Sequence, residues 1–167
     1  IPGSSVTNWQ QELNTADGTG GATYTSFSNP DYSNGTAVFT GTITGDGVTT
    51  SNDTGIWTGS TSGTPSLLVR EGDTAPGSSY AFANFEAPYI GTSGTVVFKA
   101  TAGSYPNSDL GIWAGTPGSV STVAYHGEAA PGGGNYYTNG LKLGGMAGDV
   151  IVFTSQSTDD YTYKVYA

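Results

Sequence analysis

The sequence predicts an all-β protein with little or no helix, made of antiparallel sheets from about three repeats of roughly 55 residues. Three observations carry this: a composition hostile to helix, a recurring Val-Phe strand and a recurring Gly-Ile-Trp element.

The 167 residues include 27 glycines, 25 threonines and 18 serines. Glycine costs a helix roughly 1 kcal/mol relative to alanine, and Ser and Thr compete for local backbone hydrogen bonds. Strands joined by tight turns tolerate the mixture, and residues 8–13 are the one stretch that admits a helix. An aromatic content of 12% and regularly placed Val-Phe and Ile-Trp pairs supply the apolar surface that disordered chains lack.

The first element is Thr36-Ala37-Val38-Phe39, which returns at a near-constant interval as Thr95-Val96-Val97-Phe98 and Val150-Ile151-Val152-Phe153. Each copy follows a glycine turn and reads as a buried strand. The second, Asp53-Thr54-Gly55-Ile56-Trp57-Thr58-Gly59, recurs one repeat length later as Asp109-Leu110-Gly111-Ile112-Trp113-Ala114-Gly115. A degraded third copy is read at Asp160-Tyr161-Thr162-Tyr163. The third element, Arg70-Glu71-Gly72-Asp73-Thr74-Ala75-Pro76-Gly77, matches Tyr125-His126-Gly127-Glu128-Ala129-Ala130-Pro131-Gly132 at the same interval. Residues 24–32, 82–89 and 136–143 add one further short strand per unit. Each full unit therefore holds about four short strands.

The units span 23–78, 79–133 and 134–167, behind an N-terminal segment, 1–22, outside the repeat. Such units are propeller-blade-like, but three fall short of closure. Sheets around a pseudo-threefold axis, prism-like, or a twisted sandwich fit the length better.

This pattern resembles the bacterial tandem repeat named for its Asn-x-x-Gly-x-x-Ala-Phe motif, found in exported proteins with assorted surface anchors. The resemblance covers residue 24 to the end, and its most specific parts are Gly-Ile-Trp-x-Gly at 55–59 and 111–115 and the Arg-Glu-Gly-Asp-x-Ala-Pro-Gly run at 70–77. Tyr32 and Gly91 stand where the motif has Asn, and Val38, Val97 and Val152 where it has Ala. The resemblance implies export and no particular activity.

Four Lys and Arg against 13 Asp and Glu leave a formal net charge of −9. Phosphate binding needs clustered cations, so nucleic acid and anionic membrane surfaces are poor partners. Membrane insertion is not expected, since no apolar run approaches the roughly 20 residues of a span. Low charge with abundant Thr, Ser, Asn and Gly points to a secreted or cell-surface protein, and the absence of Cys is neutral about compartment. Ile1-Pro2-Gly3-Ser4 reads as a processed end.

No catalytic constellation emerges. His126 is the only histidine and aligns with Glu71, as a surface turn residue would. Glu71, Asp73 and Glu128 offer carboxylates for glycoside hydrolysis, which needs two acids about 5 to 10 Å apart. Asp73 and Glu128 occupy one repeated turn position, so the structural reading is better. No cofactor is expected. Calcium is the open alternative, because Asp46, Asp53, Asp109, Asp149, Asp159 and Asp160 lie in Gly-, Asn- and Ser-rich loops, without EF-hand spacing. Arg70 is expected to pair with a carboxylate. Trp57 and Trp113 read as core. Tyr136, Tyr137, Tyr161, Tyr163 and Tyr166 make an aromatic C-terminal third, either a binding face or a tyrosine-lined sheet. Asn34-Gly35-Thr36 and Asn52-Asp53-Thr54 fit the glycosylation sequon.

The expected function is a non-enzymatic secreted structural subunit of the cell surface or an extracellular filament, a homo-oligomer or homopolymer assembling through β-strands. The third unit has no counterpart of residues 67–76, so a strand edge is left. Segment 1–22, reaching through a flexible 17–21 linker, is free to fill it at home or in a neighbour. Val6, Trp9, Leu13, Tyr163 and Val165 are the expected assembly interface. The alternatives are a carbohydrate-binding or adhesion module using exposed aromatics on surface glycans, and a carboxylate-dependent glycoside hydrolase.

Overall fold

A computed structural model describes residues 8–104, 107–159 and 161–167, with the side chains of 107 and 137–139 left aside. Its elements are β1 (Thr23–Ser33), β2 (Thr36–Thr44), β3 (Thr54–Ser60), β4 (Ser66–Arg70), β5 (Phe82–Phe85), β6 (Tyr89–Ile90), β7 (Val96–Ser104), β8 (Asn107–Thr116), β9 (Ser119–Tyr125), β10 (Tyr136–Ala147), β11 (Val150–Ser157) and β12 (Tyr163–Tyr166). Among the described residues there is no helix; residues 8–13, where one was admitted, run as coil and turn.

Each repeat unit makes one antiparallel sheet. Sheet 1 runs β1-β2-β3-β4, sheet 2 runs β5-β7-β8-β9 with β6 also on β7, and sheet 3 runs β10-β11-β12. The registers coincide: Phe39 pairs with Trp57, Phe98 with Trp113 and Phe153 with Tyr166. The third copy of the Gly-Ile-Trp element is therefore Tyr163-Lys164-Val165-Tyr166, two residues later than the sequence suggested. Tyr had replaced Trp and Lys had replaced Gly, which hid the match.

Strand alternation gives every sheet two unlike faces. One is aromatic, built from Tyr24, Phe39 and Trp57, then Phe82, Phe98 and Trp113, then Tyr136, Phe153 and Tyr166, with ring centroids 4.9–6.2 Å apart within each triad. Gly55 and Gly111 are glycines because the indole two residues on lies over them. An added Cβ would sit 2.8 Å from the Trp57 ring and 2.5 Å from that of Trp113. The other face is aliphatic, with Val38 and Ile56 in sheet 1 and Val97 and Ile112 in sheet 2.

The sheets stack aliphatic face to aromatic face. One core joins Val38, Ile56 and Val69 of sheet 1 to Phe82, Phe98 and Trp113 of sheet 2. A second joins Val97, Ile112 and Ala124 of sheet 2 to Tyr136, Leu141 and Phe153 of sheet 3. Burial of the Val, Leu, Ile and Phe side chains among these is worth roughly 1.5–3 kcal/mol each. The result is an open, blade-like row with sheet 2 in the middle and, among the described residues, no core shared by sheets 1 and 3, not a threefold prism. Hairpin turns stitch the row along one edge: Asn34 Nδ2 donates to the Thr92 carbonyl at 3.3 Å, and Asp149 accepts from Ser93 N at 2.9 Å and Thr92 Oγ1 at 3.0 Å.

The turn between units is also repeated, and a copy of it precedes sheet 1. Phe82 N donates to the Asp73 carbonyl and Gly72 N to that of Phe82; Tyr136 and Gly127 repeat this with Glu128; Tyr24 and Leu13 repeat it with Asn14. Bridges Thr15↔Thr23, Thr74↔Ala81 and Ala129↔Asn135 close the three turns. Residues 11–18 are thus a repeat turn and not an appendage. Glycines 18, 20 and 21, expected to form a flexible linker, take positive φ in a tight return.

Candidate functional site

Charge and polar chemistry are dispersed, so the carboxylates come first. Glu71 lies beside Asp53. Burial pushes the Glu71 carboxyl up to about 7, and the Asp53 charge adds to this, against hydrogen bonds from Thr54. In the next unit the same two positions are Asp109 and His126, whose Oδ1 and Nδ1 lie 3.0 Å apart. Burial alone would raise Asp109, but the hydrogen bonds from His126 and Tyr125, together with the imidazole's charge, hold it below the usual range. A carboxyl pair in one unit is a hydrogen-bonded carboxylate and imidazole in the next. The sequence reading missed Asp53 as the partner of Glu71, although the repeat interval aligned Asp53 with Asp109.

Asp73 is a turn residue whose Oδ2 accepts from Arg70 N at 2.8 Å. Arg70 does not pair with a carboxylate. Its Nε donates to the Asn52 carbonyl, and it makes no ion pair among the described residues. The calcium candidates do not converge either: among the described residues no group of three or more His, Cys, Asp or Glu is placed to hold a metal ion, and Asp160 lies outside them. An open groove of about 940 Å³ between units is lined by Thr50, Tyr80, Asn84, Thr101 and Ser108, with no carboxylate among its lining residues.

The sequence-predicted interface residues fall at the two ends of the row. Val6 lies outside the described residues. Trp9, an expected assembly contact, is half-buried against its own chain. Its ring meets Phe39 edge-on at 5.5 Å, and its Nε1 donates to the Gly63 carbonyl at 2.7 Å. With Ala16 and Ala22 it covers the aromatic face of sheet 1. The cap is positioned by Trp57, whose Nε1 donates to the Asp17 carbonyl at 3.0 Å. Leu13 is exposed, at a φ of 70°.

At the far end, sheet 3 keeps the aliphatic face but nothing among the described residues covers it. β11 places Val150, Val152 and Thr154 there, and β12 adds Tyr163 and Val165, since Thr154 pairs with Val165 and Gln156 with Tyr163. Val165 stands in the register position of Ile56 and Ile112. Those two are 0% exposed, whereas Val165 is 72% exposed. Tyr161, just outside the strand, is also exposed, while Tyr136 is buried among the aromatics. β12 pairs with β11 on one side, and among the described residues no strand lies on its other side, where β3 has β4 and β8 has β9.

The family model that matches the chain spans residues 2–163 and is described as Family of unknown function (DUF7453). The chain belongs to that family. No curated protein and no solved structure matches it.

Proposed function

We propose that this DUF7453 chain is a non-enzymatic structural subunit, working outside the cell and assembling with copies of itself through its stacked β-units. The observation that carries this reading is the uncovered aliphatic face of sheet 3, because Val165 occupies a position that the fold buries completely in the two preceding sheets. A face whose two internal counterparts each take an aromatic sheet is built for the same partner. The edge of β12 on which no strand lies among the described residues adds main-chain donors and acceptors at Tyr163 and Val165, and Lys164 is the one charged residue of that strand. The low content of charged residues, with abundant Thr, Ser, Asn and Gly, suits a secreted subunit of the cell surface or of a filament. Light scattering and electron microscopy of the native protein test the reading: particles many times the mass of one chain support it, and a monomer at high concentration contradicts it.

The groove beside Tyr80 and Asn84 favours a second reading, a glycan-binding module with one aromatic and several hydroxyl and amide groups. Retention on a glycan array by the monomeric protein separates it from the first.

A further inference from the structure

Residues 8–11 are equivalent to the fourth strand that sheet 3 does not have among the described residues. Ala16, Ala75 and Ala130 are all buried in their turns, and their spacing along the chain is the same as that of Phe39, Phe98 and Phe153. Leu13, Gly72 and Gly127 share positive φ values of 70°, 88° and 86°. Gly18 and Gly77 lie at φ values of 76° and 79°, and a Cβ on either would crowd the same position of the following unit, Leu67 or Thr122. Counting back from the turn, Gln11 aligns with Arg70 and Tyr125, Gln10 with Val69 and Ala124, Trp9 with Leu68 and Val123, and Asn8 with Leu67 and Thr122. The packing agrees: Leu68 shares a core with Phe98 of the following sheet, and Trp9 meets Phe39 of the following sheet.

In the complete units this strand has a partner on its other side. Gly55 pairs with Arg70, Ile56 with Val69 and Trp57 with Leu67, with a register shift between the last two pairs. Gly111, Ile112 and Trp113 keep the same register and the same shift with Tyr125, Ala124 and Thr122. Residues 8–11 form no such ladder among the described residues, and β12 has the complementary open edge.

We infer, resting on the self-association reading above, that the partner of β12 is residues 8–11 of a second copy, head to tail, in the β3–β4 register. Lys164 then pairs with Gln11, Val165 with Gln10 and Tyr166 with Asn8 of the next molecule. The donated segment stays on its own sheet 1. Its turn leads into that sheet, so the next copy's Phe39 and Trp57 face comes down on Val152 and Val165, as Phe98 and Trp113 come down on Val38 and Ile56. One interface thus fills the edge and covers the face. Because donor and acceptor surfaces differ, the contact does not close on itself and propagates as a filament.

The chain has no cysteine, so disulfide trapping reads the register directly. The probe is the full chain carrying Gln10→Cys and Val165→Cys, oxidised in air and run on a non-reducing gel. The control is Gln10→Cys with Thr154→Cys, one strand further in, where Cα atoms about 10 Å apart are too distant to bridge. The expected result is a ladder of linked multimers from the first variant and none from the control. Equal ladders from both, or no ladder while microscopy still shows assemblies, overturn this register and leave self-association standing. A cross-link within one molecule, or dimers only, overturns the open head-to-tail contact. If the native chain and the reduced variant both stay monomeric at high concentration, both readings are overturned.

Discussion

The indole N–H of Trp113 donates to the carbonyl oxygen of Pro76 at 2.9 Å, tying the second sheet to the turn that leads out of the first. Trp57 makes the same bond to Asp17 at 3.0 Å. Each tryptophan therefore does two things. It fills the aromatic face of its own sheet, and it anchors the end of the preceding unit, so a turn and a core are coupled through one side chain. The first two sheets, held in this way, repeat the same geometry from unit to unit.

The third unit has Tyr166 in this place, and its buried hydroxyl has no hydrogen-bond partner among the described residues. Restoring both departures with Lys164→Gly and Tyr166→Trp is expected to recreate the anchor to the Pro131 carbonyl and stabilise the fold by about 1 kcal/mol, the usual net worth of one hydrogen bond. Tyr166→Trp alone gains nothing, because a Cβ at the Gly55 position lies 2.8 Å from the indole. A double-mutant cycle by urea denaturation reads the coupling; simple additivity of the two changes would contradict the assignment of Tyr163-Lys164-Val165-Tyr166 as the third copy.

Phe98 lies at the centre of the molecule and is fully buried between sheets 1 and 2. Phe98→Ala is expected to cost about 3–5 kcal/mol, the range for deleting a buried phenyl ring. Chemical denaturation checks this, and a much smaller loss would mean that the two sheets do not depend on this contact.

The strand content and the repeat period were legible in the sequence because Phe39, Phe98 and Phe153 keep one chemical type at one spacing. Trp57 and Trp113 were legible as core for the same reason. The turn at 11–18 was not, because Asp17 replaces Pro and Leu13 replaces Gly; the surviving signal was Ala16 and Gly18 at the repeat interval. Trp9 was read as a free contact because it was assigned to no repeat, whereas it stands in the position of Leu68. The aliphatic face of sheet 3 was half legible. Val165 was picked out, but its meaning needed the pairing with Thr154 that equates it with Ile56 and Ile112.

Leu13 holds a left-handed backbone that glycine holds in the two equivalent turns. An L side chain there costs roughly 1–2 kcal/mol, and Leu13 is too exposed to recover this by packing. Leu13→Gly is therefore expected to stabilise the protein by about 1 kcal/mol, read as a higher denaturation midpoint; a destabilisation would mean that its side chain makes a contact in the assembled state.

Glu71 makes stability depend on pH in the neutral range. Its folded carboxyl keeps a proton up to about pH 7, while an unfolded chain loses it near 4.5. Between these values the folded state binds more protons, so this contribution is fully present below the window and is lost as pH rises through it. Denaturation midpoints should fall as the pH is raised from 4.5 through 7 in the native protein. Glu71→Gln should flatten that slope and raise the midpoint on the alkaline side of the window, and an unchanged slope would remove Glu71 as its source. Asp109 acts at the other end, where acid below its lowered value removes the pairing with His126.

Sedimentation velocity across a concentration series, run side by side on the native chain and on Val165→Lys, tests the central claim most directly. The row of sheets predicts that the native protein sediments as species that grow with concentration. It also predicts that a charge at this exposed position leaves the fold intact, by circular dichroism, while reducing the protein to single chains. A native protein that stays monomeric throughout, or a variant that assembles as well as the native chain, would contradict it.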